Sequence, residues 1–358
     1  MRRLLMMGAA AGLLFAGGCS TWNSMWGGAE KTADGLLPVK RAFDLTKYGA
    51  ANPEGLTIFN NEIYFTARND FLKTPPKIMR ITEKDKLETV MTFASRDVSP
   101  LGLAFGADGN LYVCDNQFSD TNWGKSRLLR VTFQNGKPTR ADVVVAGFNH
   151  INDIAVKRDD LYVTETVLNR TANGVTTTGA VFKFSLAELN TGRPVVVKPV
   201  ATDPHCLLTI ETRDREYPYS ANGLTFDGEG NLFICSFGDG VMWRATFDAK
   251  GAVTSRKPWV DTRRFGMRSL DGAHYDAVDN LIWVADTVGN SVGYVDVMSP
   301  RARVIARSGI PHDGADGNLD TPADIIRRGE KLYVVNFNLE FGPHKATEHQ
   351  SVSVIKWK

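Results

Sequence analysis

The sequence predicts an all-β fold: a six-bladed β-propeller with four antiparallel strands per blade, its ring closed by an N-terminal strand in the last blade. Three observations carry this expectation. One pattern recurs six times, with a Gly or Asp mark at positions 55, 102, 153, 223, 272 and 324. The marks are 47, 51, 70, 49 and 52 residues apart, and periods near 50 suit a four-stranded blade. Turn-forming D-G, G-N and N-G pairs are frequent among the 33 glycines, and no long window after the N-terminal segment holds a helical period.

The elements can be taken in order. Each copy runs from the mark through a short alternating apolar stretch, a polar turn, and a Leu/Ile-aromatic-Val stretch. The second copy reads as strands 102–106, 110–116, 127–134 and 141–147, and the fifth as 272–276, 281–287, 291–298 and 302–308. Hairpin turns such as Asp108-Gly109-Asn110 join the first two strands. The sixth copy shows only three strands, 324–328, 331–337 and 351–357. The unassigned run 41–46 can supply the fourth and cover an edge that would otherwise invite aggregation. The long third spacing carries extra segments, Thr166 to Gly179 and Asp203 to Ser220. The second precedes an innermost strand and is expected to overhang one mouth of the channel.

Composition narrows the function. With 43% hydrophobic and 23% charged residues, the chain is of globular type. Its 42 Lys+Arg against 40 Asp+Glu give a net charge of +2 without a run of one sign, which speaks against a nucleic-acid partner. Residues 1–18 read as a lipoprotein-type signal: Arg2 and Arg3, an apolar stretch too short to span a bilayer, then Ala16-Gly17-Gly18-Cys19. The expected division is 1–18 signal, 19–40 flexible tether and 41–358 propeller. The protein would be exported to the periplasm or outer membrane, touching the membrane only through a lipid on Cys19; an ordinary secretory signal cut near Gly18 is the alternative. Cys114 and Cys235 sit in apolar runs as small buried residues, and without a C-x-x-C spacing no zinc site is expected.

The residue before each mark enters an innermost strand, so six such residues ring the channel: Glu54, Leu101, Asn152, Asn222, Asp271 and Ala323. Four are oxygen donors without Cys or His, the ligand set of a hard divalent cation such as Ca²⁺. Converging carboxylates without a cation would repel each other. Asn or Asp before Gly also serves in local turns. A turn role alone would favour one residue type around the ring, whereas the six positions differ.

These residues carry a resemblance. Pro53-Glu54-Gly55-Leu56, Asn152-Asp153-Ile154, Ala221-Asn222-Gly223-Leu224 and Leu270-Asp271-Gly272, in this blade order, resemble the senescence-marker-protein/gluconolactonase family, with more distant likeness to paraoxonases and strictosidine-synthase-like propellers. The resemblance implies metal-dependent hydrolysis of small lactones or esters. It places the divalent metal on Glu54, Asn222 and Asp271, with Asn152 beside it, contacting substrate or adding to the metal set. Asp271 is the candidate proton acceptor. Leu101 stands where paraoxonases place a catalytic His, so a paraoxonase-type His dyad is not expected.

Other signals are weaker. Gly289-Asn290-Ser291-Val292-Gly293 matches G-x-S-x-G, but a strand follows it where a serine elbow needs a helix. His150 and His205 could reach the mouth, and His274 falls inside an inner strand. The segment from His312 to Ile325 resembles the turn of NHL-type repeats, which leaves a non-enzymatic binding or scaffold propeller as the alternative function.

Overall fold

A computed structural model describes residues 32–119, 121–310 and 314–358. The expected signal 1–18, Cys19 and the tether up to residue 31 lie outside the described residues, as do His312 and Asp313 of the NHL-like segment.

Six small sheets form the ring. Their innermost strands are Pro53–Phe59, Pro100–Phe105, Ile151–Lys157, Ala221–Phe226, Ala273–Asp276 and Pro322–Arg328. Each begins within two residues of its sequence mark. The last blade takes Pro322–Arg328, Lys331–Asn336 and Ser351–Lys356, and Val39–Asp44 is its outer strand. Val39 faces Ile355 and Asp44 faces Ser351 across this closing ladder. The closing strand ends at Asp44 because the Asp44 carboxylate accepts bonds from Thr46 N at 3.1 Å and Thr46 Oγ at 2.6 Å. That cap turns Leu45–Tyr48 into a 3₁₀ helix.

The long third copy differs from its sequence reading. Much of 166–179 is strand, in a hairpin of Asp160–Arg170 and Thr177–Ser185. The segment 203–220 contains the blade's outer strand, Cys206–Thr212, so only 213–220 is left to reach the mouth. The excursion between them adds Val195–Val196 as a fifth, parallel strand beside Val145–Ala146 of the second blade.

Strand alternation explains the packing. Side chains two apart share a face, and here both faces meet a neighbouring blade. Leu232 and Ile234 pack with Tyr162 and Val181 of the third blade, while Phe233 and Cys235 pack with Ile282 and Val284 of the fifth. Six apolar clusters of this kind fill the six blade interfaces. Cys114 and Cys235 belong to them as free, fully buried thiols. His205 lies on the outer side of the third blade, bonded to Glu188 at 2.9 Å and Asp203 at 3.1 Å and stacked on Phe184. Ser291 donates to Asp286 at the start of a buried strand, so the G-x-S-x-G match is a turn.

The innermost strands crowd the axis. A Cβ on Gly102 would sit 2.3 Å from Asp153 Oδ1, and one on Gly223 would sit 2.3 Å from the Asp271 carbonyl oxygen. The second collision is with backbone and has no side chain to yield. Gly223→Ala is therefore expected to cost about 3 kcal/mol of folding stability, read from chemical denaturation. A melt indistinguishable from that of the unaltered protein would show that the axis is looser than described.

Candidate active site at the channel mouth

Backbone irregularity aims the site residues. In five blades the pairing between first and second strands slips at the mark: between Pro53 and Leu56, Pro100 and Leu103, Ile151 and Ile154, Ala221 and Leu224, and Pro322 and Asp324. Bulges of this kind re-aim side chains, and in the first four blades the residue before the mark lines the mouth. In the fifth blade Asp271 lies just before its strand, fixed by its N–H to the Ala285 carbonyl at 2.9 Å.

Glu54, Asn152, Asn222 and Asp271 thereby meet on the floor of one cavity of about 250 Å³, with Leu101 beside them. All four are at least nine-tenths buried. Ala323, the sixth ring residue, packs instead in the apolar cluster between the last and first blades. Burial pushes the Glu54 carboxyl well above the usual range, and the Asp271 charge adds to this; Arg68 acts the other way. Asp271 is raised in the same sense, chiefly by burial, although the Thr287 hydroxyl opposes the shift. Thr287 Oγ lies 2.6 Å from Asp271 Oδ2 and 2.9 Å from the Pro322 carbonyl, so its one proton serves either. The nearby Asn222 side chain also opposes the Asp271 shift, and Asn222 Oδ1 is buried without a hydrogen-bond partner.

This floor fits a hard cation. Its donors are all oxygens, two of them carboxylates that cannot both ionise easily at such depth, and one buried carbonyl oxygen lacks a partner. Among the described residues no three His, Cys, Asp or Glu side chains gather closely enough to hold a metal by themselves. A cation here would therefore draw on the carboxamides of Asn152 and Asn222 as well as the two acids.

The next layer down contains acids that the sequence reading left unassigned. Asp153 accepts the Leu224 N–H at 3.2 Å, and burial lifts its carboxyl to about 7. Asp324 accepts the Leu56 N–H at 2.8 Å and bonds His274 Nε2 at 2.9 Å. These acids stand where other blades carry glycine, and they bind the innermost strands of neighbouring blades together. His274 is thus a bonded interior residue.

The pattern of the SMP-30/Gluconolactonase/LRE-like region matches residues 52–315. The chain belongs to that family. No curated protein matches the chain in sequence. Among solved structures, a luciferin-regenerating enzyme is 13% identical over 89% of this chain and 95% of its own, with a TM-score of 0.58. A gluconolactonase from Xanthomonas campestris is 14% identical over 92% and 94%, with a TM-score of 0.57. A PQQ-bound aldose sugar dehydrogenase from Streptomyces coelicolor is 15% identical over 90% and 98%, with a TM-score of 0.53. Likeness at this identity shows the propeller fold alone, which carries both hydrolytic and redox names.

In this SMP-30/gluconolactonase-family chain, the cavity wall adds residues that the repeat could not reveal. Arg68 follows the second strand of the first blade. Its buried Nε makes no hydrogen bond among the described residues, and its guanidinium lies 5.4 Å from the Phe337 ring centre. Phe118, Tyr219 and Phe341 come from connections that do not repeat. His150 also lines the cavity. Asn116 fixes its state: Asn116 Oδ1 accepts the Phe118 N–H at 2.9 Å, and Nδ2 donates to the Ile151 carbonyl at 2.7 Å. Nδ2 therefore faces His150 Nδ1, 3.0 Å away, as a donor. The imidazole proton must then sit on Nε2. Burial, helped by the Arg170 and Arg68 charges, pushes the His150 pKa down to about 3. The backbone N–H groups of Asn149 and His150 are clamped by the buried Glu165 carboxylate at 2.7 and 2.6 Å.

Because His150 takes up its proton at lower pH in the folded chain than the ordinary 6.5, the unfolded chain protonates first. Its contribution to stability is then lost as pH falls from about 6.5 towards 3. His150→Asn should flatten this part of the stability curve, seen in denaturant melts at pH 7 and pH 4. An imidazole NMR titration of the unaltered protein should show no change above pH 4 at this residue, and a midpoint near 6.5 would refute the assignment.

Proposed function

We propose that the chain is a metal-dependent hydrolase of lactones or esters, with a divalent cation, Ca²⁺, held by Glu54, Asn152, Asn222 and Asp271. The observation that carries this reading is the convergence of two buried carboxylates and the unpartnered Asn222 carbonyl oxygen on one cavity floor. Family membership supports it, as does the likeness to a protein named a gluconolactonase. Export to the periplasm or outer membrane on a Cys19-linked lipid belongs to the same proposal.

When bound, the cation supplies positive charge that lets both acids ionise and Lewis acidity toward a carbonyl oxygen. The remaining work falls to the chain. Asn152 orients the ester from the floor beside Asp271. Thr287 engages Asp271 Oδ2, which leaves Oδ1 to take a proton from the attacking water. As the carbonyl carbon gains the water oxygen and loses the alkoxide, that proton passes to the leaving oxygen, and a lactone ends as a hydroxy acid. The aromatic wall keeps other water from the reacting carbon.

The test is a lactone and ester panel with and without chelator. Chelation should abolish turnover and added CaCl₂ restore it. Asp271→Asn should lower kcat by about 10²–10⁴-fold, and Glu54→Gln should weaken calcium affinity at least about tenfold by calorimetry. Full turnover in chelator overturns the metal assignment. Absence of turnover on every lactone and ester, with a macromolecular partner captured through the mouth loops, would establish the scaffold function instead.

A further inference from the structure

The proposed hydrolase reading leaves the substrate open, and the wall of the cavity bears on it. Above the floor, the lining is an aromatic arc. Phe118 packs on the His150 ring with centres 4.3 Å apart, and His150 lies 5.7 Å from Tyr219. Tyr219 is 6.1 Å from Phe237, and Phe237 is 5.9 Å from Phe341. Phe337 and Leu339 complete the rim. These side chains come from five different connections or strand ends, so the arc is not a by-product of one apolar strand.

The polar side chains of the wall are largely spent on the protein itself. Thr166 Oγ donates to the Ala221 carbonyl at 2.6 Å. The Thr287 proton is used by Asp271 or Pro322. Asn116 is engaged at both ends of its amide. Apart from the Tyr219 hydroxyl, what remains is a pair of donors, His150 Nε2–H and the Arg68 Nε–H, because Arg68 Nη2 is already paired with Asp70 at 2.9 Å. The wall holds no acid or carboxamide left open to receive hydroxyl protons. A polyhydroxylated sugar lactone would lose its water contacts here and gain few replacements, a cost of the kind that buried unpaired hydroxyls impose. An apolar ring or chain loses nothing comparable and gains from leaving water.

We infer that the site takes neutral lactones or esters bearing an apolar alkyl or aryl group, and selects against sugar lactones. The carbonyl end lies toward the floor, the apolar group lies in the Phe118–Tyr219–Phe237–Phe341 arc, and His150 Nε2–H and Arg68 give the two polar contacts. At about 250 Å³ the cavity is smaller than a site for a drug-sized ligand, so the group is one ring or a short chain. This inference rests on the hydrolase reading for its reacting bond but not for its binding chemistry, and the two can be tested apart.

The experiment uses the full chain in calcium-containing buffer and two unreactive lactams: a butyl-substituted six-membered lactam and gluconolactam. Calorimetry should find the butyl lactam bound at least about tenfold more tightly than the sugar lactam. Phe118→Ser and Phe341→Ser alter half-buried connections, and each should weaken the butyl lactam about tenfold while leaving gluconolactam within about twofold. Thermal melts confirm that the variants fold, and the comparison on unaltered protein stands if one does not. Equal or tighter binding of the sugar lactam overturns the inference, and so does failure of both lactams to bind. Selective butyl-lactam binding without hydrolysis of the matching lactone would uphold the inference and sink the hydrolase reading.

Discussion

Everything at the site depends on crowding at the ring axis. Six innermost strands converge where there is no room for ordinary side chains, so four of the six marks are glycine. At the other two, Asp153 and Asp324 accept backbone N–H groups from other blades and convert a steric problem into stitching. In five of the six blades the ladder also slips at the mark. A slip frees the preceding residue from pairing and turns it into the mouth. The oxygen ring is therefore a consequence of how a closed ring of sheets must narrow at its centre.

Placing acids in that ring has an electrostatic cost. Glu54 and Asp271 lie in low-dielectric surroundings; burial raises the proton affinity of both, the Asp271 charge adds to that of Glu54, and Asp324 and Asp153 add to that of Asp271. Arg68 offsets only part of this. The arrangement is stable either with protons retained or with a positive ion present, and its buried unpaired carbonyl at Asn222 argues for the ion. Natural sites of function tend to hold such unrelieved charge. The wall, in contrast, is uncharged apart from Arg68, with His150 kept neutral by burial and by its bond to Asn116.

The ring and its oxygen donors were legible in the sequence because they are tied to a repeat. A mark every fifty residues or so locates an innermost strand, and the residue before it inherits a known position. Glu54, Asn152, Asn222 and Asp271 could be placed together without any contact information. The wall could not. Phe118, Tyr219 and Phe341 lie on connections with no counterpart in other blades, and loops of this kind carry no period to read. In the sequence His150 is only a His near Asn152; its neutral state and tautomer follow from burial and from the orientation of Asn116, which no spacing encodes. The third blade misled in part because Asn169 and Arg170 break the alternation of a strand that continues through them, its register slipping between Glu165 and Asn169. The parallel fifth strand at Val195–Val196 is two residues long, below any pattern.

The closing ladder has a further consequence for how the molecule matures. The last blade stands between the first, which bears Glu54, and the fifth, which bears Asp271, and it is complete only when Val39–Asp44 meets Ser351–Lys356. Those segments are separated by nearly the entire chain, so their union is among the slowest contacts to form. Until that clasp fastens, the two acids have no fixed distance between them. A nascent or nicked chain can possess five sound sheets and still present no cradle, so on the proposed metal reading ion uptake would report ring closure directly.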